Sequence, residues 1–326
     1  MTNLKLDRVL ELFLRGLRGE NLSAKKLADE YHVSSRSITR DISSLEDFLA
    51  DHRDLLGNAY LEYSHSDHTY QLVLDEFLTN KELLAMIKCL IGTRAFSKEE
   101  LLKIIGKLKK YTTVNDRAKF NKIVNNEIYC YKEIHFDCQS VIDLIYDLTE
   151  YINTCRKITI TYNKMSRETV KRKICPLAIM FSEYYFYLIA SIDGDEENVP
   201  RYFRIDRIIG IVCHRENFSR TLDFNEGELR NLSQFMWPGK RQKVVFEFTG
   251  PSYQAILDKL HTAKILSIHN GVYTIEADVY GDGIKMYLLS QGSWVKVISP
   301  QSFVEEMKDE IRKMNNLYEK GGEENG

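Results

Sequence analysis

Ser34, Ser35, Arg36, Ser37 and Arg40 put short hydroxyls and two guanidinium groups, four residues apart, into one short stretch. These are the residue types that reach base edges from the start of a helix lying in a major groove about 12 Å wide. Upstream, Ser23, Lys25 and Lys26 fall where a preceding helix would begin, and a helix N-terminus with nearby cations suits a backbone phosphate. The expectation is a helix-turn-helix on duplex DNA, with Ser23, Lys25 and Lys26 on the backbone and Ser34 to Ser37 with Arg40 on the bases. Residues 1–58 hold nine Lys and Arg against ten Asp and Glu, a net of −1. One copy then grips DNA weakly, so a homodimer on an inverted repeat is expected.

A second cationic stretch runs from Arg156 to Lys173, with seven cations against Glu168 alone. Arg201, Arg204, Arg207, Arg215 and Arg220 follow, interleaved with Tyr162, Tyr184, Tyr185, Phe186, Tyr187, Tyr202 and Phe203. Cations beside aromatic faces are what a phosphorylated ligand or a single-stranded nucleic acid requires. From local charge, Arg172, Lys173 and Arg201 are candidate contacts. Strict strand alternation would send Arg204 and Arg207 to opposite faces, so their joint action needs a bulge or a strand end.

Signals for catalysis are poor. There is no GxSxG, GxxxxGK[ST], HExxH or GxGxxG. His65 and His68 read as a polar hairpin tip, not as a metal pair, and Gly281-Asp282-Gly283 as a strand-to-helix turn. No cofactor, metal or catalytic residue is expected. Trp237 and Trp294 read as packing anchors, and the six scattered cysteines as reduced and mostly buried thiols.

The elements that must position these groups follow from patterning. Leu4, Leu6, Val9, Leu10, Phe13 and Leu14 share a face of a first helix. Ser23 caps a second, and Ser34 or Ser35 a third whose Ile38, Ile42, Leu45, Phe48 and Leu49 point inward while Ser37, Arg40 and Asp41 point outward. Alternating runs at 59–63 and 69–73 form a hairpin, completing a winged helix-turn-helix over 1–75. Helical patterns fill a connector over 76–155. From Lys157 the period becomes two, which suits a small barrel over 156–225. The order strand, helix, two strands, helix, strand, helix over 240–320 fits a ferredoxin-like α/β extension. The tail GGEENG reads as disordered.

The whole is an α+β multidomain chain of 326 residues with a net charge of −2, 17 glycines and 5 prolines. That balance argues against a disordered or collagen-like chain and offers no global basic excess. No run approaches 18 apolar residues, so neither a signal peptide nor a membrane span is expected, and the location expected is cytoplasmic.

VSSRSITRDISSLEDFL and CPLAIMFSEYYFYLIASIDG with PRYFRIDRIIGI resemble transcriptional regulators that join a winged helix-turn-helix to a WYL domain and a C-terminal WCX-type extension. The naming tripeptide here is Phe186-Tyr187-Leu188, with Phe in place of Trp. The resemblance implies an Sm-like β-barrel that senses a single-stranded nucleic acid or nucleotide and passes the signal to duplex-binding domains of a homodimer. It carries Tyr187, Arg204 and Arg207 over as ligand contacts. Two other readings remain open on the residues. One is a non-sensing dimerisation or interaction module; the other, less favoured, is a winged-helix enzyme-repressor of biotin-ligase type, which needs a Gly/Arg-rich adenylate loop that this sequence does not contain.

Overall fold

A computed structural model describes residues 4–74, 78–111, 114–195, 199–220, 226–233, 235–237 and 239–320. The tail GGEENG lies outside them. The chain divides into two compact units, Met1–Ile134 and His135–Gly326.

The first unit opens with α1 (Leu4–Leu17), α2 (Ala24–Tyr31), α3 (Ser35–Asp51) and the short α4 (Arg53–Leu56), then the hairpin β1 (Ala59–Ser64) and β2 (Thr69–Leu74). Ser23 and Ser34 stand as N-caps, accepting from the backbone N–H of Lys26 and Ser37, so the orphan donors of both helices are met where the sequence offers hydroxyls. Leu12, Leu22, Ile38, Ile42, Leu45 and Leu49 form the core. Gly16 lets α1 approach the hairpin, since a Cβ there would lie 2.9 Å from that of Leu72. Leu22 and Tyr70 exchange two backbone hydrogen bonds, of 2.7 and 2.9 Å, which fasten the α1–α2 turn to β2.

Three expectations need correction here. Leu6, Leu10 and Leu14 are 52% exposed, and Phe48 is 43% exposed, because the inward stripes of α1 and α3 centre on Leu12 and on Ile38, Ile42 and Leu45. Asp41 faces inward, 1% exposed, and accepts a hydrogen bond from Arg8 Nε at 2.8 Å.

Helices α5 (Asn80–Thr93), α6 (Lys98–Leu108) and α7 (Val114–Tyr129), with a 3-10 turn at Lys109–Tyr111, complete the unit. Thr79 with Glu82 and Ser97 with Glu100 form reciprocal capping boxes. Leu83, Ile87, Leu101, Ile105, Phe120 and Val124 are their core.

The second unit begins with α8 (Val141–Asn153), which falls inside the connector expected over 76–155. Its Leu148 and Ile152 instead pack on the sheet that follows, because their inward spacing matches Ile158, Ile160 and Ile174. That sheet is antiparallel, with β3 (Arg156–Asn163), β4 (Thr169–Ser182), β5 (Tyr185–Ile192), β6 (Arg201–Arg204) and β7 (Ile208–Asn217) in the order β6-β5-β4-β3-β7. The register shift in β4 falls at Pro176, where the missing N–H breaks the ladder.

After a seven-residue helix α9 (Glu226–Leu232), too short for its periodicity to be read from sequence, come β8 (Arg241–Phe248), α10 (Tyr253–Lys259), β9 (Lys264–His269), β10 (Val272–Tyr280), α11 (Gly283–Ser290), β11 (Val295–Ser299) and α12 (Gln301–Lys320). The four strands order as β11-β8-β10-β9, all antiparallel. Phe246, Phe248, Ile256, Ile284 and Phe303 meet in their core. Trp237 and Trp294 are half exposed and anchor nothing there. All six cysteines are free; Cys175 is buried, Cys138 and Cys155 are half-buried, and Cys89, Cys130 and Cys213 are exposed, so the expected mostly buried set is not seen.

Candidate nucleic-acid interface

The N-terminal half of α3 separates its two faces cleanly. Ile38, Asp41 and Ile42 are buried, whereas Ser35, Arg36, Thr39 and Arg40 are exposed. Arg36 and Arg40, one turn apart, enter none of the ion pairs among the described residues. Ser34 and Ser37 share a side-chain hydrogen bond of 2.9 Å in addition to the cap, so both hydroxyls are partly committed to holding the helix start. Lys25 and Lys26 are exposed on the first turn of α2. Thr39 and Ser43 lie on the same exposed strip and were not singled out from sequence; their i+3 and i+7 spacing from Arg36 was the available signal.

In the second unit, Arg204 ends β6 and residues 205–207 turn in a 3-10 helix. This strand end brings Arg204 and Arg207 to one locality: the Tyr162 hydroxyl accepts from the Arg204 backbone N–H at 3.4 Å and also bonds the Arg207 side chain. The Arg204 guanidinium is already engaged. It makes a bidentate pair with Asp206 at 3.1 and 2.6 Å and lies 3.4 Å from the centroid of the Tyr185 ring. Asp206 is 3% exposed, so this pair is held away from water, and the ring adds a cation–π contact. Tyr185 meets Tyr187 edge-on at 6.2 Å. Burial pushes the Tyr187 hydroxyl up to about 12 against the opposing pull of Arg204. The Tyr162 hydroxyl is also raised by burial. Both phenols are therefore neutral at ordinary pH.

Beside this cluster a cavity of about 490 Å³ is lined by Arg207, Arg167 and Lys164 together with His135, Asp137 and Asn163. Lys164 pairs with Glu168 at 2.9 Å. Arg207 is thus the cation that joins the arginine–tyrosine cluster to an open space.

The remaining charge-based candidates are not gathered here. Lys173 is tied to Glu216 at 2.8 Å and Asp193 at 3.2 Å, in a network that also takes Lys157. Arg172, its neighbour on the strand, points to the opposite face. Arg201 is exposed and pairs with Asp195 at 3.1 Å. Phe186 packs against Phe181 at 5.0 Å and lies with Leu188 on the core side of the sheet, so the ring on which Arg204 stacks is that of Tyr185. Tyr187, on the same face of β5 as Tyr185, packs onto Met180, Ile189, Leu229 and Met236. Tyr202 lies on that same seam, and its hydroxyl shares a 2.9 Å hydrogen bond with Ser233. Among the described residues no cluster of His, Cys, Asp and Glu could hold a metal, and no helix is long and apolar enough to cross a membrane.

Comparison with known proteins matches a part of each unit. The family model described as an HTH domain matches residues 6–52, and that described as a WYL domain matches residues 143–212. An uncharacterized HTH-type transcriptional regulator of Bacillus subtilis (strain 168), YobV, is 22% identical over 331 residues, 97% of this chain and 100% of that protein. Among solved structures, the proteasome accessory factor B/C of Arthrobacter aurescens is matched at 16% identity over 94% of this chain, with a TM-score of 0.30. This chain spans about half of that one, 47% of its length. A CRISPR Cas-related protein is matched at 16% identity over 76% of each chain, with a TM-score of 0.38. The chain carries a helix-turn-helix domain and a WYL domain.

Proposed function

We propose that this chain is a DNA-binding transcriptional regulator whose WYL sheet, an Sm-like barrel in this reading, takes a single-stranded nucleic acid or a nucleotide and thereby changes the affinity of a homodimer for its operator. The observation that carries the DNA-binding part is the exposed strip Ser35, Arg36, Thr39, Arg40 and Ser43 on a helix whose other face is the core of a three-helix and hairpin unit. The sensing part is supported by Arg207, which lines a cationic cavity and bonds the same Tyr162 hydroxyl as the backbone of Arg204, whose guanidinium stacks on the Tyr185 face. A base can compete for that face, where stacking contributes about 1–3 kcal/mol. Tyr187 and Tyr202 then connect the site to the C-terminal, WCX-like extension. A homodimer is supported by α12, whose inward spacing of Phe303 and Met307 runs on into the exposed Ile311, Met314 and Tyr318. No residue is assigned a catalytic role.

Selection of bound duplexes from a random pool, followed by titration of the protein–duplex complex with short single strands and with nucleotides, tests the reading. A preferred inverted repeat whose affinity shifts on ligand addition is expected, because a ligand moves two states only by its differential affinity for them. A ligand that binds without altering duplex affinity leaves the sheet as a dimerisation scaffold, and a monomer by sedimentation with and without duplex overturns the dimer. Arg36→Ala and Arg40→Ala are expected to flatten sequence preference, at about 1–3 kcal/mol for each lost bidentate base contact. Equal enrichment of the same site by parent and variants refutes their assignment.

A further inference from the structure

The hairpin presents an electrostatic puzzle. From Asn58 to Leu74 there is not one Lys or Arg, while Glu62 and Asp67 are present, so this β-ribbon brings no cation to a duplex. The cations of the first unit lie elsewhere. Residues 80–129 hold eleven Lys and Arg against five Asp and Glu, a net of +6. Lys103, Lys107 and Lys110 recur at i, i+4 and i+7 along α6 into the 3-10 turn, all exposed, opposite the buried Leu101 and Ile105. Lys109 Nζ donates to Asn121 Oδ1 at 2.7 Å, which fastens this stripe to α7 next to the exposed Lys122. Lys107, Lys110 and Lys122 enter none of the ion pairs among the described residues. The stripe ends at the hairpin: Tyr111 lines a cleft of about 320 Å³ together with Gln71 and Val73 of β2 and with Arg18 at the end of α1.

We propose that the surface carrying Lys107, Lys110 and Lys122, continued by Arg18, is a second duplex-DNA contact that holds backbone phosphates beside the hairpin and supplies the cations the hairpin lacks. The inference rests on the DNA-binding reading above and adds to it a sequence-independent grip outside the helix-turn-helix. Each lysine that neutralises a phosphate releases a counterion, which lowers the slope of log K against log salt concentration by about 0.9 for B-DNA. Lysine acts as a point charge on a flexible stem, suited to phosphate without reading sequence.

The test is the salt dependence of duplex binding by the full chain and by a Lys107→Gln, Lys110→Gln, Lys122→Gln triple variant, on the selected site and on an unrelated duplex. All three side chains are exposed, and an unchanged circular dichroism melt confirms folding; a Lys→Arg triple variant is the charge-preserving control. The expected result is a slope shallower by about two to three and an affinity lower by about tenfold or more at low salt, equally on both duplexes, with the Arg control restoring both. An unchanged slope in a variant whose parent binds overturns this surface alone. Loss confined to the selected site also overturns it, since that marks base reading. A parent that binds neither duplex overturns the DNA-binding reading itself, and this surface with it.

Discussion

Asp41→Ala protein is expected to lose about 1–3 kcal/mol of stability in its first unit, the cost of leaving a half-buried guanidinium donor without its acceptor. Asp41 is 1% exposed and Arg8 is its partner at 2.8 Å, across 33 residues of sequence and between α1 and α3. In the absence of the carboxylate, the half-buried Arg8 guanidinium loses the side-chain partner that ties α1 to α3. An Arg8→Met, Asp41→Leu double variant removes both charges and is expected to fall within about 1 kcal/mol of the parent, because apolar replacements of a buried pair are often neutral or better. Urea titration of the full chain followed by far-ultraviolet circular dichroism reads the result as an early step in helix loss for the single variant only. A single variant as stable as the parent removes the pair from any structural account of α3.

Arg207→Ala and Arg204→Ala are expected to part company, although they lie three residues apart. Arg207 lines the cavity and enters none of the ion pairs among the described residues, so Arg207→Ala is expected to lower affinity for a short single strand by about 10–100-fold, the worth of a charge-assisted hydrogen bond of about 1.5–3 kcal/mol. Its thermal stability is expected to stay near the parent's. Arg204 is bound on both sides, by Asp206 and by the Tyr185 ring. Arg204→Ala strands a carboxylate that is 3% exposed and is expected to lower the melting temperature as well as the affinity. An Arg204→Ala, Asp206→Asn double variant is expected to recover stability without recovering the ligand response. The readouts are melting by calorimetry and titration with labelled oligonucleotide. If Arg207→Ala binds as the parent does, the cavity is not the ligand site.

These two cases also mark where the sequence stopped being readable. Helix starts were legible because a cap is a local event: Ser23, Ser34 and Ser140 each accept from the backbone three residues ahead. The strands from Arg156 to Asn217 were legible because alternation with β-branched and aromatic residues is local too. Asp41 was not, since an aspartate at the rim of a helical stripe reads as solvated until its partner 33 residues upstream is placed beside it. Lys173 looked available for the same reason, its partners Asp193 and Glu216 sitting on other segments. The joint placement of Arg204 and Arg207 was conditional on a strand end, and the 3-10 turn at Ile205–Arg207 supplies one. Phe186 looked like a platform by composition, but which face of β5 it takes depends on register, and Phe181 and Leu188 share its side.

The division of α3 into two faces has an evolutionary corollary. Ser35, Arg36, Thr39, Arg40 and Ser43 point to solvent, while Ile38, Asp41, Ile42 and Leu45 point into the core. Surface substitutions away from caps and buried partners usually change stability by no more than about 0.5 kcal/mol. Those five exposed positions can therefore drift to a new target sequence with little penalty in folding, and duplicated copies of the gene can diverge in what they read while keeping one scaffold. Grafting a foreign recognition sequence onto this unit succeeds only if it is threaded around Asp41.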